Sequence, residues 1–140
     1  MRARGSALAL LTVSPSTIYC LTVDCADPDR LASFWCETLG YERFETDLQA
    51  EEVEIRDPTG RGGDLLFVPV PEGKSAKNRL HLDLIPPSTI REEVLRLEAL
   101  GAAAGEEFEE AGWRWTVMRD PEGNEFCVCA RVDGSLGALP

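Results

Sequence analysis

Alternating and helically spaced apolar residues near the start of the chain predict a strand followed by a helix. Residues 17–25 (TIYCLTVDC) alternate and are rich in β-branched side chains, as expected of a strand. A helix is predicted between Asp27, a suitable N-cap, and Gly40, a suitable C-terminal stop, with Pro28 at its first position. Its apolar residues recur at helical spacing, at Leu31, Phe34, Trp35 and Leu39.

The same succession of strand and helix recurs in the second half of the chain. Residues 79–85 (RLHLDLI) alternate between polar and apolar side chains, which predicts a half-buried strand with Leu80, Leu82 and Leu84 facing a helix layer. We expect the helix that follows to be capped by Ser88 or Thr89. Its apolar stripe comprises Ile90, Val94, Leu97 and Leu100, and Gly101 follows as a stop.

Three further strands are predicted after each helix. YERFET, AEEVEIRD and DLLFVPV follow the first helix, and Pro69 and Pro71 either end the last of these strands or place it at a sheet edge. AGEEFEE, WRWTVMRD and NEFCVCAR follow the second helix, with a turn at DPEG between the last two. The predicted order is therefore β-α-β-β-β, twice.

A sequence repeat supports two structurally similar halves. CLTV at Cys20 precedes HLDL at His81 by about 60 positions, and RDPTG at Arg56 precedes RDPEG at Arg119 by a similar interval. We predict an α+β fold in which two βαβββ modules form a curved, half-open mixed sheet (a cup) with the helices outside. We place the modules at 17–71 and 79–131 of one domain spanning 17–131, between a flexible extension at 1–16 and a tail at 132–140.

Composition and charge narrow the class of protein. The chain has 140 residues, 44% of them hydrophobic and 28% charged, which is typical of a globular domain with a core. Its net charge of −11 argues against binding to nucleic acid or to an anionic membrane surface, because both need clustered Lys and Arg. We therefore expect neither nucleic acid nor a membrane as a partner. The partner that we expect is a small molecule.

Cysteine usage favours a reducing compartment. The five cysteines are odd in number and include no Cys-x-x-Cys pair, so we expect no disulfide framework and predict a cytoplasmic protein. The N-terminal segment loosely resembles a secretory signal, but its apolar run is short and no clean cleavage site follows it. We interpret that segment as an extension.

Strand alternation assigns a set of polar residues to the concave face of the cup. If the leucines of RLHLDLI face the helices, His81 and Asp83 face the cup, and the repeat places Cys20 and Thr22 at the equivalent positions. A concave surface with a few polar groups is the usual form of a small-molecule site. The other candidates for this face, or for its mouth, are Trp113, Trp115, Glu125, Cys127, Cys129, Asn78 and Arg79.

These modules resemble those of the vicinal oxygen chelate superfamily, which includes glyoxalase I, extradiol dioxygenases, fosfomycin-resistance enzymes and bleomycin-binding proteins. The matching residues are DCADPDRLASFWCETLGYE, KNRLHLDL and DPEGNEF, and the resemblance covers Ile18 to Ala130. It is greatest to the glyoxalase-like subfamily of bacteria. The resemblance implies a homodimer, since superfamily members commonly dimerise.

The resemblance also implies where a divalent metal would lie, typically between His or Gln and Glu ligands from four strands. The first, third and fourth positions fall on Cys20, His81 and Cys127, and the second falls near Phe67 or Val68, with Asp64 at the start of that strand. Only His81 is of the usual type, and thiols serve hard cations poorly. We therefore expect no metal and no other cofactor. The alternative is a softer ion such as Zn²⁺ held by Cys20, His81 and Cys127, with Glu125 or Cys129 as a fourth ligand.

The role of His81, the only histidine, stays open between two interpretations. It is either a hydrogen-bonded structural residue or a ligand contact or general acid/base oriented by Asp83 or Glu125. The first hypothesis is a glyoxalase-like protein that binds an unknown small organic ligand without the usual metal, whether as a binder or as an enzyme. The alternatives are a metal-dependent lyase or dioxygenase with an atypical ligand set, and a drug-sequestering protein of the bleomycin-binding type.

Overall fold

Two modules with the same order of elements follow one another, as the repeat predicts. The computed structural model describes residues 15–44 and 51–137. The first module comprises β1 (Cys20–Cys25), α1 (Pro28–Leu39), β2 (Glu42–Arg43), β3 (Val53–Arg56) and β4 (Asp64–Pro69). The second comprises β5 (Asp83–Leu84), α2 (Ile90–Ala99), β6 (Ala103–Glu110), β7 (Trp113–Arg119) and β8 (Glu125–Arg131).

Each module forms its own four-stranded mixed sheet. The strand orders are β1-β4-β3-β2 and β5-β8-β7-β6, so equivalent strands occupy equivalent places. In each sheet the first strand pairs in parallel with the last strand, and the other pairs are antiparallel. Neither sheet closes on itself, which agrees with the predicted α+β fold and half-open sheet. Pro69 ends β4, a strand that lies inside its sheet and not at an edge.

Both helices begin and end where local chemistry predicts. The Asp27 carboxylate accepts a hydrogen bond from the Arg30 amide, and Gly40 takes the left-handed conformation (φ 70°) that a side chain would disfavour. At α2 the cap is Thr89: its hydroxyl accepts from the Glu92 amide while the Glu92 carboxylate accepts from the Thr89 amide. This reciprocal arrangement is a capping box, and it decides between the two predicted caps.

The core lies between the helices and the sheets, and it joins the two modules. Phe34 and Trp35 of α1 pack edge-to-face against Phe126 of β8, with ring centroids 6.2 and 5.1 Å apart. The indole N–H of Trp35 donates to the Asp120 carboxylate at 3.3 Å. The Glu122 carboxylate accepts from the backbone amides just before α1. One core therefore serves both halves.

The strand predicted at residues 79–85 is shorter than expected, because it pairs with β8 only at Asp83 and Leu84. Leu82 and Leu84 pack against the core as predicted, but Leu80 is 78% exposed, so its predicted burial is wrong. Leu80 lies before the paired residues of β5, in a segment where the Asn78 amide donates to the Glu125 side chain. Pro86 and Pro87 then end the segment.

The remaining predictions about the chain differ in outcome. All five cysteines are free thiols, as expected. Within the described ranges, no helix is long and apolar enough to cross a membrane. The predicted YERFET strand is ordered as a strand only at Glu42–Arg43, and its last two residues lie outside the described residues. Most of the predicted extension, residues 1–14, and the end of the tail, residues 138–140, also lie outside them.

Candidate ligand-binding face of the second sheet

A cavity of about 1210 Å³ lies on the concave face of the second sheet. All of its lining comes from the second module and from the segment just before it. Its apolar walls are Ile85, Phe108, Trp113, Trp115, Val117, Cys127 and Cys129. Its polar side chains are Lys77, His81, Asp83, Glu106, Glu110, Arg119 and Glu125.

The strand register explains why these side chains share a face. Residues opposite one another in neighbouring strands point to the same side, and β7 places Trp115 between Phe108 of β6 and Cys129 of β8. The Phe108 and Trp115 rings stack, with centroids 5.5 Å apart and planes at 20°. An apolar row, Phe108–Trp115–Cys129, therefore crosses the middle of the sheet. Phe126 and Val128 point the other way, into the core, as the alternation predicts.

A second row brings together His81, Asp83 and Cys127. Asp83 lies opposite Cys127 in the β5–β8 pair, and His81 precedes Asp83 by two residues. The Nδ1 atom of His81 lies 3.1 Å from a carboxylate oxygen of Asp83, and one ligand atom from each of the three residues lies within 4.8 Å of the others. Burial, and then the neighbouring Asp83 carboxylate, raise the pKa of the Cys127 thiol to about 11. The thiol is therefore protonated near neutral pH.

The Glu125 side chain is held at the margin of the cavity by the segment that precedes β5. It accepts from the Asn78 amide at 2.9 Å and from the Lys74 ammonium at 3.0 Å. These contacts, the Asn78 amide first, lower the pKa of the Glu125 carboxyl to about 2. Glu125 is therefore an anchor for the 71–80 segment, and its carboxylate is already engaged.

Several predicted site residues do not reach this cavity. Cys20 and Thr22 lie on the first sheet, where the Cys20 sulfur contacts the Thr22 hydroxyl at 3.7 Å, and neither lines the cavity. Asn78 contributes its backbone amide to Glu125, and Arg79 is exposed outside the lining. The structure does bring together His81, Asp83, Trp113, Trp115, Glu125 and Cys127, with Cys129 beside them.

Residues of β6 complete the cavity, although none of them is among the site candidates named from the sequence. Glu106, Phe108 and Glu110 alternate with residues that face away, which was the available signal. An irregularity in the β6–β7 pairing lies between Ala104 and Glu107. Gly105 lies in it, and a Cβ there would be 3.0 Å from the Val117 carbonyl oxygen. A residue without a side chain lets the two backbones approach.

The four-strand metal site of the resemblance does not form from the residues present. Phe67 is fully buried in the core and carries no ligand atom, and Asp64 lies 3.8 Å from Arg56 in an ion pair. Cys20 lies on the other sheet and does not line the second-module cavity. A hard octahedral cation that prefers oxygen ligands therefore lacks its usual ligand set here.

Comparison with known proteins agrees with this architecture. A family model described as a glyoxalase-like domain matches residues 20–129. The chain belongs to this glyoxalase-like family. Its place in the vicinal oxygen chelate superfamily follows from that match and from the solved structures that share its fold. No curated protein sequence matches this glyoxalase-like chain significantly.

Three solved structures illustrate the shared fold. A glyoxalase/bleomycin resistance protein/dioxygenase from Nocardioides has a TM-score of 0.65 at 20% identity, covering 93% of each chain. A family enzyme of the same description from Burkholderia phytofirmans has a TM-score of 0.60 at 18% identity, covering 79% of this chain and 95% of its own. The fosfomycin resistance protein FosX from Listeria monocytogenes, complexed with Mn(II) and a dihydroxypropylphosphonic acid, has a TM-score of 0.67 at 16% identity, covering 90% and 94%. At these identities the likeness shows the fold alone.

Proposed function

We propose that this glyoxalase-like protein binds a small organic molecule with a flat apolar body on the concave face of the second sheet, without the usual four-strand metal site. The observation that carries the proposal is the stacked pair of Phe108 and Trp115, with Trp113 beside it on the same face. Aromatic side chains supply large contact areas for flat ligands. An apolar concave surface with a few polar groups has the composition of a small-molecule site.

The polar groups are arranged around the apolar row and would orient the ligand. His81 and Asp83 lie on the β5 side, and Glu106 and Glu110 lie on β6 at the opposite edge. A flat ligand on Trp115 would therefore present its polar substituents to either edge. Lys77 and Arg119 add positive charge to a lining that is otherwise acidic.

The state of the thiols favours binding over cysteine chemistry. Burial raises the pKa of both Cys127 and Cys129, so neither is a thiolate nucleophile near neutral pH. The His81–Asp83 pair is a candidate acid/base group of the lining. Binding is therefore the primary proposed function, and a reaction would depend on His81.

A thermal-shift screen tests the proposal. The probes are planar aromatic acids, planar aromatic cations, small carbonyl compounds and a bleomycin-type glycopeptide, each added to protein kept in a metal chelator. A ligand at 100 times its dissociation constant stabilises the folded state by about 2.7 kcal/mol. We expect at least one flat probe to raise the melting temperature by several degrees.

Matched variants assign the binding to this face. Trp115→Leu should weaken the best probe about tenfold, because an aromatic contact contributes up to about 1.5 kcal/mol beyond the area it buries, and about 1.4 kcal/mol is a factor of ten in affinity. Cys20→Ser, on the first sheet, should leave the affinity unchanged. Loss of binding in Cys20→Ser but not in Trp115→Leu would place the ligand on the other sheet and refute the proposal.

The homodimer and the cytoplasmic location stay predictions. Light scattering of the purified protein checks whether it is a dimer.

A further inference from the structure

The convergence of His81, Asp83 and Cys127 places three different metal-binding atoms at one point of the second sheet. Their nitrogen, oxygen and sulfur atoms all lie within 4.8 Å of one another. The β5–β8 register sets Asp83 opposite Cys127, and the two-residue spacing sets His81 beside Asp83. The backbone therefore brings these side chains together before any ion binds.

The distances suit a small tetrahedral cation. Zinc binds His nitrogen and carboxylate oxygen at about 2.0–2.2 Å and thiolate sulfur at about 2.3 Å, so neighbouring ligand atoms lie about 3.3–3.8 Å apart. The 3.1 Å between His81 Nδ1 and the Asp83 carboxylate is just below this range, and all three ligand atoms lie within 4.8 Å of one another. Three protein ligands leave the fourth position of such an ion for water or a ligand atom.

The chemical nature of the atoms selects the cation. Mg²⁺ and Mn²⁺ prefer oxygen-rich sets, whereas a thiolate with an imidazole favours Zn²⁺ and similar borderline-soft ions. The Cys127 thiol, protonated in the free protein, releases its proton to solvent when the ion binds. The other nearby groups are engaged: the Cys129 thiol contacts the Leu84 carbonyl oxygen at 3.6 Å, and Glu125 is paired with Lys74. Of the groups on this face, these three are the ones whose ligand atoms converge at one point.

We propose that His81, Asp83 and Cys127 form a Zn²⁺-selective site built entirely from the second module. It differs from the four-strand site of the superfamily in its ligand types and in using no residue of the first module. It also excludes Cys20, whose sulfur contacts Thr22 on the other sheet. The site does not depend on the proposed organic ligand, because its atoms converge without one.

Cobalt(II) spectroscopy provides a readout that needs no enzymatic activity. Reduced, chelator-stripped protein is titrated with Co²⁺, and we expect one equivalent to produce a thiolate-to-cobalt charge-transfer band and the visible bands of a tetrahedral ion. Zn²⁺ should abolish both at stoichiometric concentration, and the same concentration of Mn²⁺ should not. Equal competition by Mn²⁺, or no charge-transfer band at saturating Co²⁺, would overturn the proposal.

Variants identify the ligands. Cys127→Ser should remove the charge-transfer band and weaken Zn²⁺ binding at least about 100-fold in competition with a chromophoric chelator, since even outer contacts of metal sites contribute about 10–100-fold. Cys129→Ser and Cys20→Ser are the matched thiol controls and should keep the band. Asp83 is exposed, so Asp83→Asn should leave the fold intact. It should also weaken Zn²⁺ binding about 100-fold. A band that survives Cys127→Ser, or that disappears with Cys20→Ser, refutes the assignment.

The two proposals fail separately. The probe screen is run in chelator, and the cobalt titration is run without an organic probe. Loss of probe binding in Trp115→Leu with an intact cobalt spectrum supports two independent functions of one face.

Discussion

The thiols of this protein are shielded by the fold to different degrees. Cys25 is 3% exposed, and burial, followed by the acidic groups around it, raises its pKa to about 11. Burial also raises the pKa of Cys36. Cys20, at the start of β1, is partly exposed. Because the thiolate is the reactive form, these differences should determine which cysteines are modified.

We expect iodoacetamide at pH 8 to alkylate Cys20 well before Cys25 in the folded protein. With a pKa of about 11, about one Cys25 thiol in a thousand is ionised at pH 8, and this fraction rises about tenfold per pH unit. Peptide mass spectrometry after timed labelling measures both rates, and the urea-unfolded chain provides the control in which they converge. Equal rates in the folded protein would contradict the burial of Cys25.

At the scale of a single element, the start of α2 rests on the capping box of Thr89 and Glu92. The Glu92 carboxylate accepts from the Thr89 amide at 3.2 Å and from its hydroxyl at 3.1 Å. The first of these bonds is the main reason that the pKa of Glu92 is lowered. The carboxylate therefore stabilises the folded state above the ordinary Glu pKa, and this contribution is lost as the pH falls through the lower folded value.

Thr89→Ala should lower the free energy of unfolding by about 1 kcal/mol, because the Glu92 amide loses its side-chain acceptor. Urea unfolding monitored by circular dichroism measures the change. Ser88→Ala is the matched control and should cost less than half as much, since Ser88 is not the cap.

Glu92→Gln should also lower the free energy of unfolding, and this deficit relative to the parent protein should shrink as the pH is lowered through the acidic range. A deficit that grows on acidification would contradict the assigned role.

At the scale of the whole molecule, contacts between the modules predict cooperative unfolding. Asp120 of the second module is buried, which raises its pKa, and it accepts from Trp35 of the first module. Arg96 of α2 donates to the Thr38 carbonyl oxygen at the end of α1. Neither module can lose its structure without exposing groups that the other module covers.

We expect the two modules to unfold in one transition. A variant that keeps only Trp35, with the other tryptophans replaced by Phe, monitors the first module by fluorescence; Trp35→Phe leaves the second-module indoles as the other probe. Their urea midpoints should each coincide with the circular dichroism of the same variant. Trp35→Phe should also cost about 2 kcal/mol, because the buried Asp120 carboxylate loses one of its donors. Two separated transitions would contradict the shared core.

Much of the site could be predicted from the sequence because strand alternation is a local property. It assigned Cys127 and Cys129 to one face and Phe126 and Val128 to the other, as the structure has them. Alternation did not reveal which residues of β6 face the cavity, because every residue of this strand is exposed and Phe108 is surrounded in sequence by acidic residues. It also buried Leu80 wrongly, because the register by which β5 pairs with β8 depends on residues distant in sequence.

The sequence by itself determined the order of elements, the Asp27 cap of α1, the repeat of the two modules and hence the family, because each depends on residues close together in the chain. Only the tertiary structure decided which faces meet. It separated Cys20 from His81 by placing them on different sheets, engaged Glu125 with Lys74, and brought His81, Asp83 and Cys127 to one point. These outcomes depend on the pairing of strands that are distant in sequence, and the spacing of residues along the chain does not reveal that pairing.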